Sequence, residues 1–140
     1  MKQPKRNGEI AQVGFVYKAM KMGFTVLEPF GVSERYDYVL NRQSKFSRIQ
    51  VRSTQTLSLP NVYSIASTFT VDHGRGSAVR LPYTDKEIDF LAAVIVPEDA
   101  LYLIPVAALR GRRCLYLNSR NHPKPGPEAQ FKDAWHLLFD

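Results

Sequence analysis

RYDYVLNRQSKFSRIQVRST, residues 35–54, is the stretch that decides the fold. Two runs of strand-forming residues, 36–40 and 46–53, flank a short polar link at 41–45, which is the pattern of a β-hairpin. Side chains of a strand alternate between faces, so Arg48, Gln50, Arg52 and Thr54 share one face and Ile49, Val51 and Ser53 the other. Asp37 stands near the start of the neighbouring strand, beside that polar face. A carboxylate facing an amide and a guanidinium two residues apart suits a hard divalent cation with a positive side chain next to it. Such a cation takes oxygen ligands from one or two protein groups, waters and phosphate. The adjacent positive charge orients a water or stabilises charge developing on phosphorus. Singly, the same residues have plainer explanations: Asp37 as a strand-end acid paired with Arg35 or Arg48, Gln50 as an exposed amide, Arg52 as a surface cation. Only their joint order points to chemistry.

The rest of the chain bounds the answer. Its 140 residues are enough for one domain with a real core, and 44% hydrophobic against 23% charged residues places it among ordinary globular proteins. Nineteen Lys and Arg against thirteen Asp and Glu leave a net charge of +6, which suits a polyanionic partner held through its phosphates. One cysteine, Cys114, excludes an internal disulfide and a cysteine-based zinc site, and is expected to be a buried structural thiol. The N-terminus has no apolar signal core, and the longest apolar run, 90–96, is too short to span a bilayer. No membrane association and a cytoplasmic location are the resulting expectations.

Along the chain, residues 1–6 are expected to form a basic arm and residues 7–140 the folded domain. Asn7 is placed to cap a helix to about Met22, ended by Gly23. Glu9, Val13, Val16 and Met20 share one stripe of it, expected to face the core, with Glu9 at its start. Strands are predicted at 24–27, in the hairpin, at 62–71, 78–81, 90–96, 101–104 and 114–117. The polar segment 55–61 extends the sheet or loops out. Thr84 and Glu87 form a capping-box pair that predicts a helical turn at 85–88. The continuous apolar run 90–96 suits a strand buried on both faces. Pro105 is placed to start a short helix at 106–109. A final helix is expected at 128–139, with Phe131, Ala134, Trp135 and Leu138 at helical spacing. This order predicts an α/β domain, a mixed central sheet flanked by helices.

Arg35-Tyr36-Asp37 followed by Arg48-Ile49-Gln50-Val51-Arg52-Ser53 resembles the core motif of PD-(D/E)XK nucleases. The resemblance is closest to the branch found among group I intron-associated homing endonucleases, which writes Gln-x-Lys in the second half-motif. Gly8-Glu9, residues 23–29, 83–89 and 97–105, and Ala134-Trp135-His136-Leu137-Leu138 resemble the same branch. The resemblance implies a restriction-endonuclease-like fold and Mg²⁺-dependent cleavage of double-stranded DNA, with Mn²⁺ as a substitute ion. It also implies Asp37, Gln50, the Val51 carbonyl and Glu9 as metal ligands, and Asp37, Gln50, Arg52 and Glu9 as the catalytic set. Arg52 stands where the family writes lysine. It keeps the charge and binds phosphate well, but it does not lose a proton near neutral pH. Retained or reduced cleavage is therefore expected, the alternative being a DNA-binding protein of the same fold with weak or absent catalysis.

Three basic clusters are candidate DNA contacts: Lys2, Lys5 and Arg6 in the arm; Arg75 and Arg80 around a Gly-rich turn; and Arg110, Arg112 and Arg113. Arg42, in the hairpin link, is a further candidate. His73, His122 and His136 are scattered without metal-pair spacing, and Phe131 and Trp135 are expected in the core. Cutting both strands requires two sites, so a homodimer or homotetramer is expected. A third hypothesis is a nonenzymatic assembly subunit that docks through its C-terminal helix.

Overall fold

A computed structural model describes residues 4–72, 74 and 76–139. A helix, α1 (Pro4–Lys21), and a short strand, β1 (Thr25–Leu27), lead into the hairpin formed by β2 (Tyr38–Arg42) and β3 (Lys45–Thr54). β2 and β3 pair from Tyr38↔Ile49 to Arg42↔Lys45, leaving Gln43 and Ser44 as a two-residue turn. Both carry left-handed φ, 54° and 66°. That is the type I′ geometry, whose twist matches that of the strands.

α1 begins earlier than the sequence predicts. Pro4 is pre-set for a first helical position, and nothing after it breaks the helix, so Asn7 lies inside rather than at the cap. Lys5 and Arg6 stand on its first turn and are exposed, and the remainder of the expected arm lies outside the described residues. The inward face is also different. Ala11, Phe15 and Ala19 are buried, whereas Val13 is 70% and Met20 62% exposed and Glu9 is exposed. Two small residues let the helix lie close to the sheet, and Phe15 fills the gap between them. Its ring stacks 6.0 Å from Tyr38 and 5.9 Å from Trp135.

After β3 come β4 (Leu57–Leu59), β5 (Val62–Ala66), β6 (Thr68–Asp72) and β7 (Ala78–Pro82). The run 62–71, expected to be one strand, is divided at Ser67. This fully buried residue donates its N–H to the Arg113 carbonyl at 3.0 Å and accepts from the Tyr83 N–H at 3.3 Å. The chain changes partners there: β5 joins a sheet ordered β10-β5-β4, and β6 pairs with β7 in a separate hairpin. The Thr84–Glu87 capping box forms, with the Thr84 N–H donating to Glu87 Oε1 at 2.7 Å, and closes a single turn at 85–87.

β8 (Phe90–Ile95) is buried throughout, as its apolar run predicts. It lies parallel to β3 and antiparallel to β9 (Ala100–Pro105), completing a mixed sheet ordered β1-β2-β3-β8-β9. α2 (Val106–Leu109) follows Pro105 as expected, and β10 (Cys114–Asn118) pairs with β5. The C-terminal helix does not form. Two 3₁₀ turns, Ala129–Phe131 and Trp135–Leu138, take its place. Between them Lys132 bridges to Tyr102, and the Asp133 N–H donates to the Leu101 carbonyl at 2.9 Å. The outer edge of β9 thus captures backbone that local propensity assigns to a helix.

The central sheet carries a core on each face. α1, Leu40, Ile49, Val51, Leu103 and Trp135 pack on one; Leu91, Ile95 and Ile104 meet Ile65, Leu109 and Leu115 on the other. This is the mixed α/β fold predicted. Among the described residues no helix is long and apolar enough to cross a membrane.

The hairpin turn holds two non-glycine residues in left-handed backbone. Ser44→Gly is expected to stabilise the protein by about 1 kcal/mol and to raise its melting temperature by about 3 °C in a calorimetric scan. An unchanged or lower melting temperature would contradict this account of the turn.

Candidate active site

Asp37 extends the β2–β3 ladder by one residue. Its N–H donates to the Ile49 carbonyl at 2.8 Å, and its carboxylate Oδ2 accepts the Val51 N–H at 2.9 Å. Among the described residues Oδ1 accepts no hydrogen bond. Burial pushes the carboxyl pKa up; the Val51 hydrogen bond and the charge of Arg52 pull it down; the net lies above the ordinary value. A half-buried carboxylate whose ionised form is under-compensated is a fitting seat for a cation.

Gln50 is half-buried on the face that β3 turns away from α1, with Nε2 3.5 Å from the Val51 carbonyl oxygen. That is too long for a strong hydrogen bond. Turning the amide over exchanges nitrogen for oxygen there. The donors then available are a carboxylate, an amide oxygen and a backbone carbonyl, the oxygen set that a hard divalent cation selects.

Arg52 is no loose surface cation. Its Nη2 donates to the Thr68 carbonyl at 2.7 Å and to the Tyr83 hydroxyl at 3.0 Å, and the guanidinium lies 5.9 Å from the centre of the Tyr83 ring. Nε is buried without a partner among the described residues. The break at Ser67 brings Thr68 here, and buried Tyr83 follows directly after β7. Both were missed as site residues. Tyr83 lies in a segment the family resemblance already covers, but Thr68 acts through its backbone, which leaves no trace in residue type. Gln12 was missed too: its Oε1 accepts from the Tyr38 hydroxyl at 3.1 Å, tying α1 to the strand beside Asp37. Burial raises the Tyr38 pKa, and the charges of Glu28 and Asp37 raise it further.

Other candidates lie elsewhere. Glu9 is on the outer flank of α1, beside an open groove with Arg6, Ile10 and Val13, and makes no hydrogen bond to Asp37, Gln50 or Arg52. No group of three His, Cys, Asp or Glu side chains is arranged around a metal position among the described residues. Arg48 pairs with Asp89 rather than Asp37, Nε and Nη2 each reaching a carboxylate oxygen at 3.1 Å. Arg112 is structural. Its Nη1 meets Glu128, itself 3% exposed, at 2.7 Å, while Nε and Nη2 donate to the Leu109 and Ala108 carbonyls. Of the other proposed DNA contacts, Arg80, Arg110 and Arg113 are exposed, Arg42 lies over the Phe139 ring at 4.3 Å, and Arg75 is outside the described residues. Cys114 is half-buried rather than buried.

A carboxylate, an amide and a fixed guanidinium thus come together on adjacent strands of a mixed sheet. Residues 2–138 match the family model of the PD-(D/E)XK endonucleases, and the chain belongs to that family. Protein 5.3 of Escherichia phage T7 is 28% identical over 122 residues, which cover 86% of this chain and 96% of that protein. The solved structure of a bacterial homing endonuclease, I-Ssp6803I, superposes with a TM-score of 0.82 at 28% identity, covering 98% of this chain and 93% of that one.

Two outcomes follow from the geometry. Because Asp37 has a raised folded-state pKa, its ionisation costs stability above the carboxylate range and costs nothing below it. Asp37→Asn keeps an acceptor for the Val51 N–H, so it is expected to raise the melting temperature at about pH 8, the gain shrinking towards about pH 3. A loss of stability at pH 8 would contradict the assignment. Arg112→Met leaves Glu128 buried and unpaired and is expected to cost about 3–5 kcal/mol in denaturant titration. A loss within about 0.5 kcal/mol would mean the pair is not structural.

Proposed function

We propose that this endonuclease hydrolyses phosphodiester bonds of double-stranded DNA with the help of Mg²⁺, for which Mn²⁺ substitutes. The observation that carries the reading is the Asp37 carboxylate, half-buried with one oxygen held by the Val51 N–H and the other unengaged among the described residues, with the Arg52 charge beside it. Asp37, the Gln50 side-chain oxygen and the Val51 carbonyl would hold the cation. When bound, it supplies an activated water and neutralises charge on the phosphate and the leaving oxygen. The likeness to a bacterial homing endonuclease supports DNA as the substrate.

Arg52 acts electrostatically. A guanidinium offers donors and no acceptor, so Arg52 is not the base. Thr68 and Tyr83 engage Nη2 and Nε is buried, which leaves Nη1 to face phosphate oxygens. Preorganised donors of this kind need no rearrangement as charge develops. Glu9 lies outside the assigned set. Exposed Lys5, Arg6 and Arg110 contribute positive charge along the DNA. Two copies of the site, in a dimer or tetramer, cut the two strands.

A second reading has its own support: the Nη2 bonds tie up part of the cation that replaces lysine. It describes a DNA-binding protein with weak catalysis, and a large gain of cutting in Arg52→Lys would favour it.

The test is plasmid nicking by purified protein with Mg²⁺, Mn²⁺ or EDTA, beside Asp37→Ala. Metal-dependent nicking reduced at least about a hundredfold in the variant is expected. Nicking that persists in EDTA or in Asp37→Ala would overturn the assignment. Salt-sensitive DNA binding without nicking, across DNA of varied sequence, would favour the second reading.

A further inference from the structure

The β6–β7 hairpin and the β5–β10 pair enclose an open groove of about 360 Å³, lined by Ser64, Ala66, Thr68, Arg80, Arg113 and Cys114. We propose that this groove is a phosphate-binding subsite for the nucleic-acid strand leading away from Arg52. The inference rests on the nuclease reading and adds where the substrate's backbone runs.

Three observations converge. First, the groove is joined to the candidate site through one residue. Thr68 lines it, and the Thr68 carbonyl receives the Arg52 guanidinium at 2.7 Å. Positive charge therefore continues from the reacting end of β3 into the groove. Second, its charged lining is wholly basic. Arg48 and Arg112 are neutralised by Asp89 and Glu128, and Lys18 by Asp99. Arg80 and Arg113 have no carboxylate partner among the described residues, and no Asp or Glu lines the groove. Third, the arrangement is built rather than incidental. The chain redirected at Ser67 carries β6 away from β5, and Arg113 Nη1 donates to the Arg80 carbonyl at 2.9 Å, joining the hairpin to the start of β10. Two sequence-distant arginines are thereby held on one wall-to-wall opening, with the hydroxyl side chains of Ser64 and Thr68 beside them.

The chemistry selects a phosphodiester backbone. Guanidinium groups bind phosphate oxygens in a bidentate fork, and hydroxyls add neutral donors. An open groove with no aromatic residue in its lining offers nothing to stack a base on. The subsite therefore contributes affinity and register rather than sequence readout.

The chain's only cysteine reports on occupancy of this groove, since Cys114 lies in it. The alkylation rate of Cys114 by iodoacetamide is measured with and without plasmid DNA, in Ca²⁺ to hold binding apart from cutting. DNA is expected to slow alkylation severalfold, and added salt to restore it. Arg80→Gln, whose side chain makes no hydrogen bond within the described structure, is expected to lessen the slope of log affinity against log salt by about 0.9, the value for one phosphate. Arg80→Gln with Arg113→Gln is expected to lessen it by about 1.8 and to abolish protection. Alkylation at the free-protein rate while DNA is bound, or an unchanged slope in Arg80→Gln, would overturn the subsite. If the protein nicks plasmid yet leaves Cys114 unprotected, the subsite fails and the nuclease reading stands. If it binds no DNA at any salt, both fail.

Discussion

The clamp between Arg48 and Asp89 sets the alternation on which the candidate site depends. β3 and β8 are parallel neighbours separated by residues 55–89, so no tight turn fixes their register. At their heads, the Arg48 N–H donates to Asp89 Oδ2 at 2.7 Å and the Asp89 N–H to the Arg48 carbonyl at 2.9 Å, while the guanidinium spans both carboxylate oxygens. The same guanidinium also binds the Asp85 and Lys86 carbonyls, holding the turn before β8. A slip of one residue would turn Gln50 and Arg52 towards α1 and expose Ile49 and Val51. Burial raises the Asp89 pKa, but hydrogen bonds from the Arg48 side chain and backbone, and its charge, bring the net below the ordinary value. The clamp's contribution is therefore present above the unfolded carboxylate range and is lost as pH falls through the lowered one.

Function and stability pull in opposite directions a few residues further along β3. Asp89 is compensated by a bidentate partner; Asp37 receives one backbone N–H and a cation at longer range, and its charged form is disfavoured. Arg52 has a buried donor without an acceptor among the described residues. A bound cation would compensate the first; the second is sealed from solvent. The sheet tolerates them because its other face is closed by Phe15, Tyr38 and Trp135 and its β8 strand is buried throughout.

Much of this was legible in the sequence because it is local. Period-two alternation at 46–53 identified the face that carries Gln50 and Arg52, the apolar run at 90–96 identified the central strand, and Pro105 marked the start of α2. What escaped is nonlocal. Nothing in residues 62–71 shows that Ser67 will be bound by the Arg113 carbonyl's strand end and the Tyr83 N–H. The helical spacing of Phe131, Ala134, Trp135 and Leu138 is real, but β9 recruits Lys132 and Asp133 and divides them between the two cores. That also removes the apolar C-terminal helix on which the assembly-subunit hypothesis relied. On α1, four apolar and acidic positions at good spacing lost to an Ala-Phe-Ala face that packs closer. Arg112 reads in the sequence as a candidate DNA contact because its partner, Glu128, lies 16 residues away along the chain.

The central claim is that the Asp37–Gln50–Val51 end of the hairpin is a cation seat. Paramagnetic broadening of backbone amide resonances during a Mn²⁺ titration measures this without any DNA or turnover. The expected result is that the amides of residues 37, 50 and 51 broaden first, that Mg²⁺ in excess reverses it, and that Asp37→Asn abolishes it. Broadening that begins at other acidic positions such as Asp72 or Asp85, or that is unchanged in Asp37→Asn, would contradict the account.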